Sequence, residues 1–386
     1  MSDLFTFEKL YRAYLDCRRT KRKTINALKF EWNLERNLFQ LQKELKDRKY
    51  KPGRSVCFVI SKPSPREIFA ASFRDRVIHH FLIREIEKAG EKNLIFDTFS
   101  CRKNKGTHLA IKRLKKFIRQ ITKNSRGNAF YAQLDVSGFF MSIDRHILYS
   151  IFEKLILKQR KFPQWEKDVL WLAKTIIFHK PTENYVIKGD PSLFKLIPPK
   201  KSLFKSPRGR GLPIGNYSSQ FFANLYLNEL DQFIKRKLKC QYYLRYVDDL
   251  VLLDKSREKF KIFRNKINLY LKRSLNLELN LQKTKIRSAR QGIDFLGYFL
   301  KPEYVLIRKK VVSRMKDKLH KLNNNPGKIP ELKKVLATIN SYYGHFKHAF
   351  SFNLKKDIYE NHLGNLQNNF LPKPDYSSLK INYEVR

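Results

Sequence analysis

The chain has 386 residues, 42% of them hydrophobic and 13% aromatic, enough to bury a core in more than one domain and to exclude wholesale disorder. Lys and Arg number 81 against 35 Asp and Glu, and the formal net charge of +46 runs the whole length of the chain. A polyanion such as an extended phosphate backbone is therefore the expected partner, and a membrane surface is not. Cys17, Cys57, Cys101 and Cys240 lie far apart without CxxC spacing, which argues against a zinc ribbon or a disulfide scaffold. The start, MSDLFTFEKLYRAYLDCRR, carries charge inside its apolar pattern, unlike a signal peptide. No apolar run approaches the roughly 18 residues of a membrane span, and a reducing, cytoplasmic setting is expected.

Residues 5–50 read as helical, with Phe7, Leu10, Tyr11, Tyr14 and Leu15 on one rhythm and Ile25 to Leu41 on a second. Lys51-Pro52-Gly53 breaks that pattern. Val56–Ile60 reads as a strand, and a helix is expected from about Glu67 to Ala89 with Pro65 just before it. A basic loop covers 96–108, and Thr107 is the expected cap of a helix whose apolar stripe runs from Ile111 to Ile121 between lysines and arginines. Phe130–Val136 reads as a strand ending in a carboxylate, and helices fill 145–179. The Pro-, Lys- and Ser-rich stretch 181–210 reads as a loop or ribbon insertion. A Gly-rich turn at 207–220 then leads into a helix reaching about Lys239. Residues 241–254 read as two strands around an acidic turn, 257–275 as a basic helix, and 295–300 as a short strand or turn. From about Val311 the pattern is helical again, with NNNPG at 323–327 between two helices and a polar, turn-rich tail.

The sharpest local feature is YVDD at 246–249. Two adjacent aspartates sit between YYLRY and LVLL, where strand-forming residues flank them on both sides. A tight hairpin would hold the acidic tip at the edge of a packed sheet, whereas an Asp-Asp pair elsewhere is usually only a turn. If the strand ending at Asp135 lies beside this hairpin, Asp135 and Asp248 face each other. Divalent cations relieve the repulsion between such carboxylates. Mg2+ suits carboxylate oxygens plus substrate phosphates, and two ions would activate an attacking 3′ hydroxyl and steady a leaving pyrophosphate. This is phosphoryl transfer, open between a polymerase and a nuclease.

DVSGFF at Asp135, GLPIGNYSSQFFANLYLNELD over Gly211–Asp231, YVDD, QKTK at 282–285 and FLGY at 295–298 occur in this order. Together they resemble the palm motifs of reverse transcriptases, and REIFAASFRDRVIHH at 66–80 resembles their fingers motif. The resemblance implies an α+β, right-hand polymerase fold with fingers, an RRM-like palm and a helical thumb. It divides the chain into an N-terminal helical extension (1–54), interleaved fingers (55–130), palm (131–304, with an insertion near 181–208), and helical thumb with tail (305–386). By position, Asp135, Asp248 and Asp249 become the catalytic, metal-binding carboxylates, with Mg2+ as the pair of ions and Mn2+ as a substitute. Phe140, five residues after Asp135, would block the 2′ hydroxyl of an incoming nucleotide and so select dNTPs. Arg74, Arg76, Ile214, Gln220 and Lys285 complete the implied nucleotide-binding set. Phe295, Leu296, Gly297 and Tyr298 resemble a primer grip, where positioning of the primer end is much of the catalysis. Lys309, Lys310, Lys316 and Lys318 would hold a duplex backbone without reading bases.

Within that family, the Gly-rich motif carries Ile214 where retroviral and group II intron-like enzymes usually have glutamine. With CRKNKGTH at 101–108 and the NYSSQ ending, the sequence resembles most closely the reverse transcriptases of diversity-generating retroelements. The resemblance implies a bacterial or phage-encoded enzyme that copies a template-repeat RNA into cDNA, with errors at adenines, for diversification of a target gene. It implies template RNA, primer, cDNA and dNTPs as partners, together with a small, helical, basic accessory protein. An antiphage-defence or truncated group II intron-like reverse transcriptase is the related alternative. A non-enzymatic RNA-binding protein would explain the charge but leave Asp135 and YVDD unused.

Overall fold

The computed structural model describes residues 4–19, 21–62, 64–324 and 331–383. Helices α1 (Phe7–Arg18), α2 (Ile25–Glu31) and α3 (Leu34–Lys46) come first, followed by strands β1 (Ser55–Ile60) and β2 (Arg66–Ala70). Next are α4 (Phe73–Asn93), α5 (Thr107–Ile121), β3 (Phe130–Asp135), the single turn α6 (Phe139–Ser142), α7 (Arg145–Leu157), α8 (Pro163–Ile177) and β4 (Tyr185–Ile187). Three 3-10 turns lead to α9 (Tyr217–Gln232), which continues through a π turn at Phe233–Lys237. The strands β5 (Tyr242–Tyr246) and β6 (Asp249–Asp254) and helix α10 (Glu258–Leu275) follow. The remainder holds β7 (Lys285–Ser288), β8 (Ile293–Phe295), β9 (Tyr298–Leu300), β10 (Val305–Ile307), α11 (Lys309–Asn323), α12 (Leu332–Phe346), α13 (Phe352–His362), β11 (Phe370–Pro372) and β12 (Leu379–Ile381).

Two compact units emerge. The first comprises 1–104, 133–251 and 261–284; the second comprises 105–132, 252–260 and 285–386. In the first, β2-β1-β4 form a sheet, and β5, the start of β6 and the end of β3 lie side by side in that order. Its helices pack through apolar faces, with α4 burying Val77, Ile78, Phe81, Leu82 and Ile86 and α9 burying Phe222, Leu225, Tyr226 and Leu230. In the second unit the rest of β6, the start of β3 and β7 are neighbours, and β10-β9-β8 form a meander. The amphipathic α5 turns Ala110, Ile111, Leu114, Phe117, Ile118 and Ile121 inward and its lysines outward, as its period of 3.6 dictates.

Four local expectations change. Residues 66–70 form a strand rather than the start of a helix, because IFA pairs antiparallel with β1 from Val56↔Ala70 to Ile60↔Arg66. The helix begins only at Phe73, where the Ser72 hydroxyl accepts from the Asp75 N–H at 3.2 Å. Thr107 is the first residue of α5 and Gly106, at φ +126°, takes the cap position. The insertion is built rather than loose: β4 joins β1 in parallel and the last 3-10 turn buries Leu203. The tail closes on itself through the β11–β12 hairpin. Of the NNNPG segment, 325–327 lie outside the described residues.

Candidate active site

The YVDD turn is held from beneath by a buried polar network. Arg245, on β5, is fully buried and forms a salt bridge with the equally buried Asp231 at the end of α9, at 2.6 Å. Its guanidinium also donates to the Asn224 side chain at 3.1 Å and to the Val247 carbonyl at 2.8 Å. Asp231 accepts further bonds from the Tyr243 and Thr98 hydroxyls. Val247 has φ +55°, a left-handed conformation that a β-branched residue adopts only when its surroundings enforce it. The bond from Arg245 to the Val247 carbonyl supplies that enforcement and presents Asp248 at the hairpin tip. Sequence reading missed Arg245, Asp231 and Asn224. The available signal was an arginine inside a strand whose neighbours are otherwise core-forming, since such a charge must find a buried partner.

Asp135 ends β3, two strands from β5, and its main chain is fixed by the Asn280 N–H donating to its carbonyl at 2.7 Å. The carboxylate accepts from the Lys283 ammonium at 2.7 Å and from the Asn280 amide at 3.3 Å. Asp248 is half-buried, and its carboxyl is raised to about 7 by loss of hydration, then by repulsion from Asp249 and Asp135. Asp249 is raised to about 6 by loss of hydration and by repulsion from Asp135, although its exposed side chain lets water screen part of that repulsion. The three carboxylates therefore act on one another electrostatically. Lys283, whose own ammonium is held in its charged form by Asp135, is the cation closest to hand.

These features fit a divalent cation: three repelling carboxylates, two of them reluctant to ionise, with a lysine against the third. Among the described residues no group of three or more His, Cys, Asp or Glu is drawn together tightly enough to hold a metal ion unaided. Mg2+ is commonly held by one or two carboxylates with substrate phosphates completing its octahedron, so Asp135 and Asp248 are a sufficient protein share.

Phe140 and Ile214 share one apolar surrounding. Both pack against a buried cluster of Cys57, Phe69, Met141 and Leu203. The Phe140 carbonyl accepts from the Leu212 N–H at 2.8 Å, and the Ile214 carbonyl from the Phe69 N–H at 2.8 Å, which fastens the Gly-rich motif to both α6 and β2. Gly215 needs its glycine: at φ +126°, a Cβ there would lie 2.7 Å from Ile68 and 2.9 Å from the Phe69 carbonyl. Gln220 is exposed on the first turn of α9.

The other predicted residues have local surroundings of their own. Arg74 pairs with Glu44 and Asp75 and lies over the Tyr50 ring, so its charge serves the α3–α4 packing. Arg76 is half-buried, with its Nε lacking a partner among the described residues and its guanidinium pKa lowered by burial. Lys285 is exposed on β7 of the second unit; the lysine of QKTK that touches a carboxylate is Lys283. In the second unit Phe295 pairs with Tyr298 across a two-residue turn, with Leu296 at φ +49° and Gly297 at φ +88°. Positive φ at both positions is the requirement of a tight hairpin turn. The Gly297 carbonyl accepts from the Arg308 N–H at 3.0 Å, and the Tyr298 hydroxyl donates to the His345 carbonyl at 2.8 Å. Lys309, Lys310 and Lys318 are exposed on α11, whereas Lys316 is paired with Asp357 at 3.0 Å.

Residues 51–300 match the family described as reverse transcriptase (RNA-dependent DNA polymerase). The chain therefore belongs to the reverse transcriptases, the family of RNA-dependent DNA polymerases. Protein YkfC of Escherichia coli (strain K12) is 24% identical over 312 residues, covering 72% of this chain and 74% of YkfC. The COX1/OXI3 intron 2 protein of Saccharomyces cerevisiae is 29% identical over 109 residues, or 25% of this chain and 13% of that protein. Among solved structures, telomerase from Candida albicans in complex with a TWJ fragment of telomeric RNA is 12% identical, with a TM-score of 0.46. The match covers 86% of this chain and 64% of that one. Apo telomerase from Candida tropicalis is 10% identical with a TM-score of 0.48, covering 76% of this chain and 52% of that one. The chain thus spans less than two thirds of the telomerase chains it matches. No helix among the described residues is long and apolar enough to cross a membrane.

Proposed function

We propose that this chain copies RNA into DNA at Asp135, Asp248 and Asp249, using Mg2+ and dNTPs. The observation that carries this reading is the electrostatic coupling of Asp135, at the end of β3, with Asp248 and Asp249 in a rigidly supported hairpin, with Asp248 raised to about 7. Bound Mg2+ would supply Lewis-acid activation of the primer 3′ hydroxyl and charge neutralisation at the leaving pyrophosphate. Asp135 and Asp248 would hold it, with Asp249 in support. The chain's own part is positional. Arg245 keeps the hairpin from relaxing, and Asn280 fixes the main chain of Asp135. Phe140 bars a 2′ hydroxyl, and Lys283 leaves Asp135 to meet phosphate charge as the nucleotide arrives. The Leu296–Gly297 turn acts as the primer grip, and Lys309, Lys310 and Lys318 contact the nucleic-acid backbone.

The finer reading is a diversity-generating retroelement enzyme, working with a small basic accessory protein on a template-repeat RNA and misreading adenines. Its support is Ile214, which packs as an apolar residue against the Phe69 cluster and offers no polar group to a template or nucleotide. Looser base selection follows when a hydrogen-bonding group is absent from such a pocket. A group II intron-like role is the second reading, favoured by the similarity to the yeast intron protein.

Primer extension on RNA with dNTPs tests the main reading. Wild-type protein with Mg2+ is expected to extend, and Asp248→Ala/Asp249→Ala is not. A wild-type protein that binds RNA but extends no primer, with its partners present, would favour a non-enzymatic RNA binder. For the finer reading, cDNA made from cell-bound RNA is sequenced: errors concentrated at adenines and reduced by Ile214→Gln are expected. An even error spectrum, untouched by that substitution, would remove the diversification role.

A further inference from the structure

We propose that the segment Tyr185–Phe204 is a specificity-determining brace that sets the positions of Phe140 and Ile214 and so controls nucleotide selection; this rests on the reading of Phe140 as the sugar filter. By composition the segment is a solvated loop, rich in Pro, Lys and Ser. The structure instead packs it against the cluster on which Phe140 and Ile214 rest. Tyr185–Ile187 adds to β1 in parallel, and the Lys188 N–H donates to the Cys57 carbonyl at 2.8 Å. The aromatic rings of the segment then lock onto β2. Phe69 meets Tyr185 at 6.1 Å and Phe204 at 5.3 Å between centroids, and Phe204 meets Tyr185 at 5.2 Å and Phe194 at 6.2 Å. Leu203, 5% exposed, enters the same buried cluster as Cys57, Phe69 and Met141, against which Phe140 and Ile214 pack.

The end of the segment is anchored by an unusual acceptor. Glu67, on β2, is 1% exposed and has no salt bridge among the described residues. Its carboxylate accepts from the Ser202 hydroxyl at 3.0 Å and from the Leu203 N–H. A buried carboxylate that depends on these donors makes their departure costly, so the turn at 202–203 is tied to β2. Two motif glycines mark how closely the segment sits. A Cβ on Gly138, at φ +53°, would lie 2.5 Å from the Lys200 carbonyl oxygen, and one on Gly211 would lie 2.6 Å from Leu203. The backbone just before Phe140 and just before Ile214 thus lies close against the segment. A ring filters a sugar only if it cannot retreat, and a close-packed interior passes any lost volume to its neighbours.

The test is single-nucleotide incorporation of dNTP and rNTP, read as kcat/KM for each, with wild type, Phe140→Ala, Leu203→Ala and Phe204→Leu. Lys195→Ala, on the exposed side of the segment, serves as the control. Leu203→Ala is expected to lower dNTP-over-rNTP selectivity about tenfold, chiefly through KM, with dNTP kcat within about threefold of wild type. Phe204→Leu, a milder change that keeps most of the volume, is expected to move it in the same direction, and it gives the readout if Leu203→Ala does not fold. Selectivity relaxed by Phe140→Ala but unchanged in folded Leu203→Ala or Phe204→Leu would overturn the brace and leave the sugar filter standing. Selectivity unchanged in Phe140→Ala would overturn the sugar filter and the brace with it.

Discussion

Replacing Asp248 with asparagine is expected to abolish polymerisation and at the same time stabilise the metal-free protein. The Asp248 carboxyl moves from its ordinary 3.8 to about 7, so the folded state resists its ionisation. Fully ionised, that resistance costs the folded state at most about 4 kcal/mol. Water at the hairpin tip and the sharing of repulsion among three aspartates reduce the realistic figure to about 1–2 kcal/mol. In a chain of this size that corresponds to a rise in Tm of about 1–3 °C. The sign depends on pH. Above about 7 both folded and unfolded Asp248 are ionised and the penalty is complete. Between about 7 and 4 the folded carboxyl takes up a proton that the unfolded one does not, so the wild type gains stability as pH falls and the advantage of asparagine shrinks. Thermal melts in EDTA at pH 8 and pH 5 measure both effects. Adding Mg2+ should raise the wild-type Tm and move Asp248→Asn less, since the cation binds where the charge was. An asparagine variant that melts at or below wild type at pH 8, or a gap equal at both pH values, would refute the account of this site as mutually repelling carboxylates.

The remaining expectations concern neighbouring groups. Lys283→Ala should slow single-turnover incorporation by about 10²-fold, whereas Lys285→Ala should stay within about twofold; equal losses would remove the distinction that the bond to Asp135 makes. Asp231→Asn strands the buried Arg245 guanidinium and should cost about 3–5 kcal/mol in urea unfolding. A loss below about 1 kcal/mol would mean the network does not hold the YVDD turn. Gly215→Ala should destabilise by more than about 1 kcal/mol and depress activity, because the added Cβ meets Ile68 and Phe69 at a left-handed backbone. A variant with wild-type melting behaviour would contradict that packing.

Much of this protein is legible in its residues. The helices at both ends, the strand carrying Asp135, the paired strands around YVDD and the FLGY turn all follow from apolar period and turn chemistry, which act over a few residues. The order of the motifs carries the family, and the charge of +46 points to a polyanion. What local pattern could not decide depends on partners distant in sequence. REIFA is equally apolar as helix or strand, and only β1 beside it selects the strand. The QKTK segment offers two lysines, and the chain path after Asn280 turns Lys283, not Lys285, to Asp135. Composition makes 181–208 a solvated loop, yet Glu67 and Phe69 lie more than 100 residues away and supply the acceptor and the ring that seat it. The three aspartates could be picked from the sequence because an acid closing a strand-forming run and an acidic pair between two such runs are visible in local pattern. The network under them, from Arg245 to Asp231 and Asn224, exists only once β5 packs on α9, because a buried charge is explained by its partner and the tertiary fold chooses that partner.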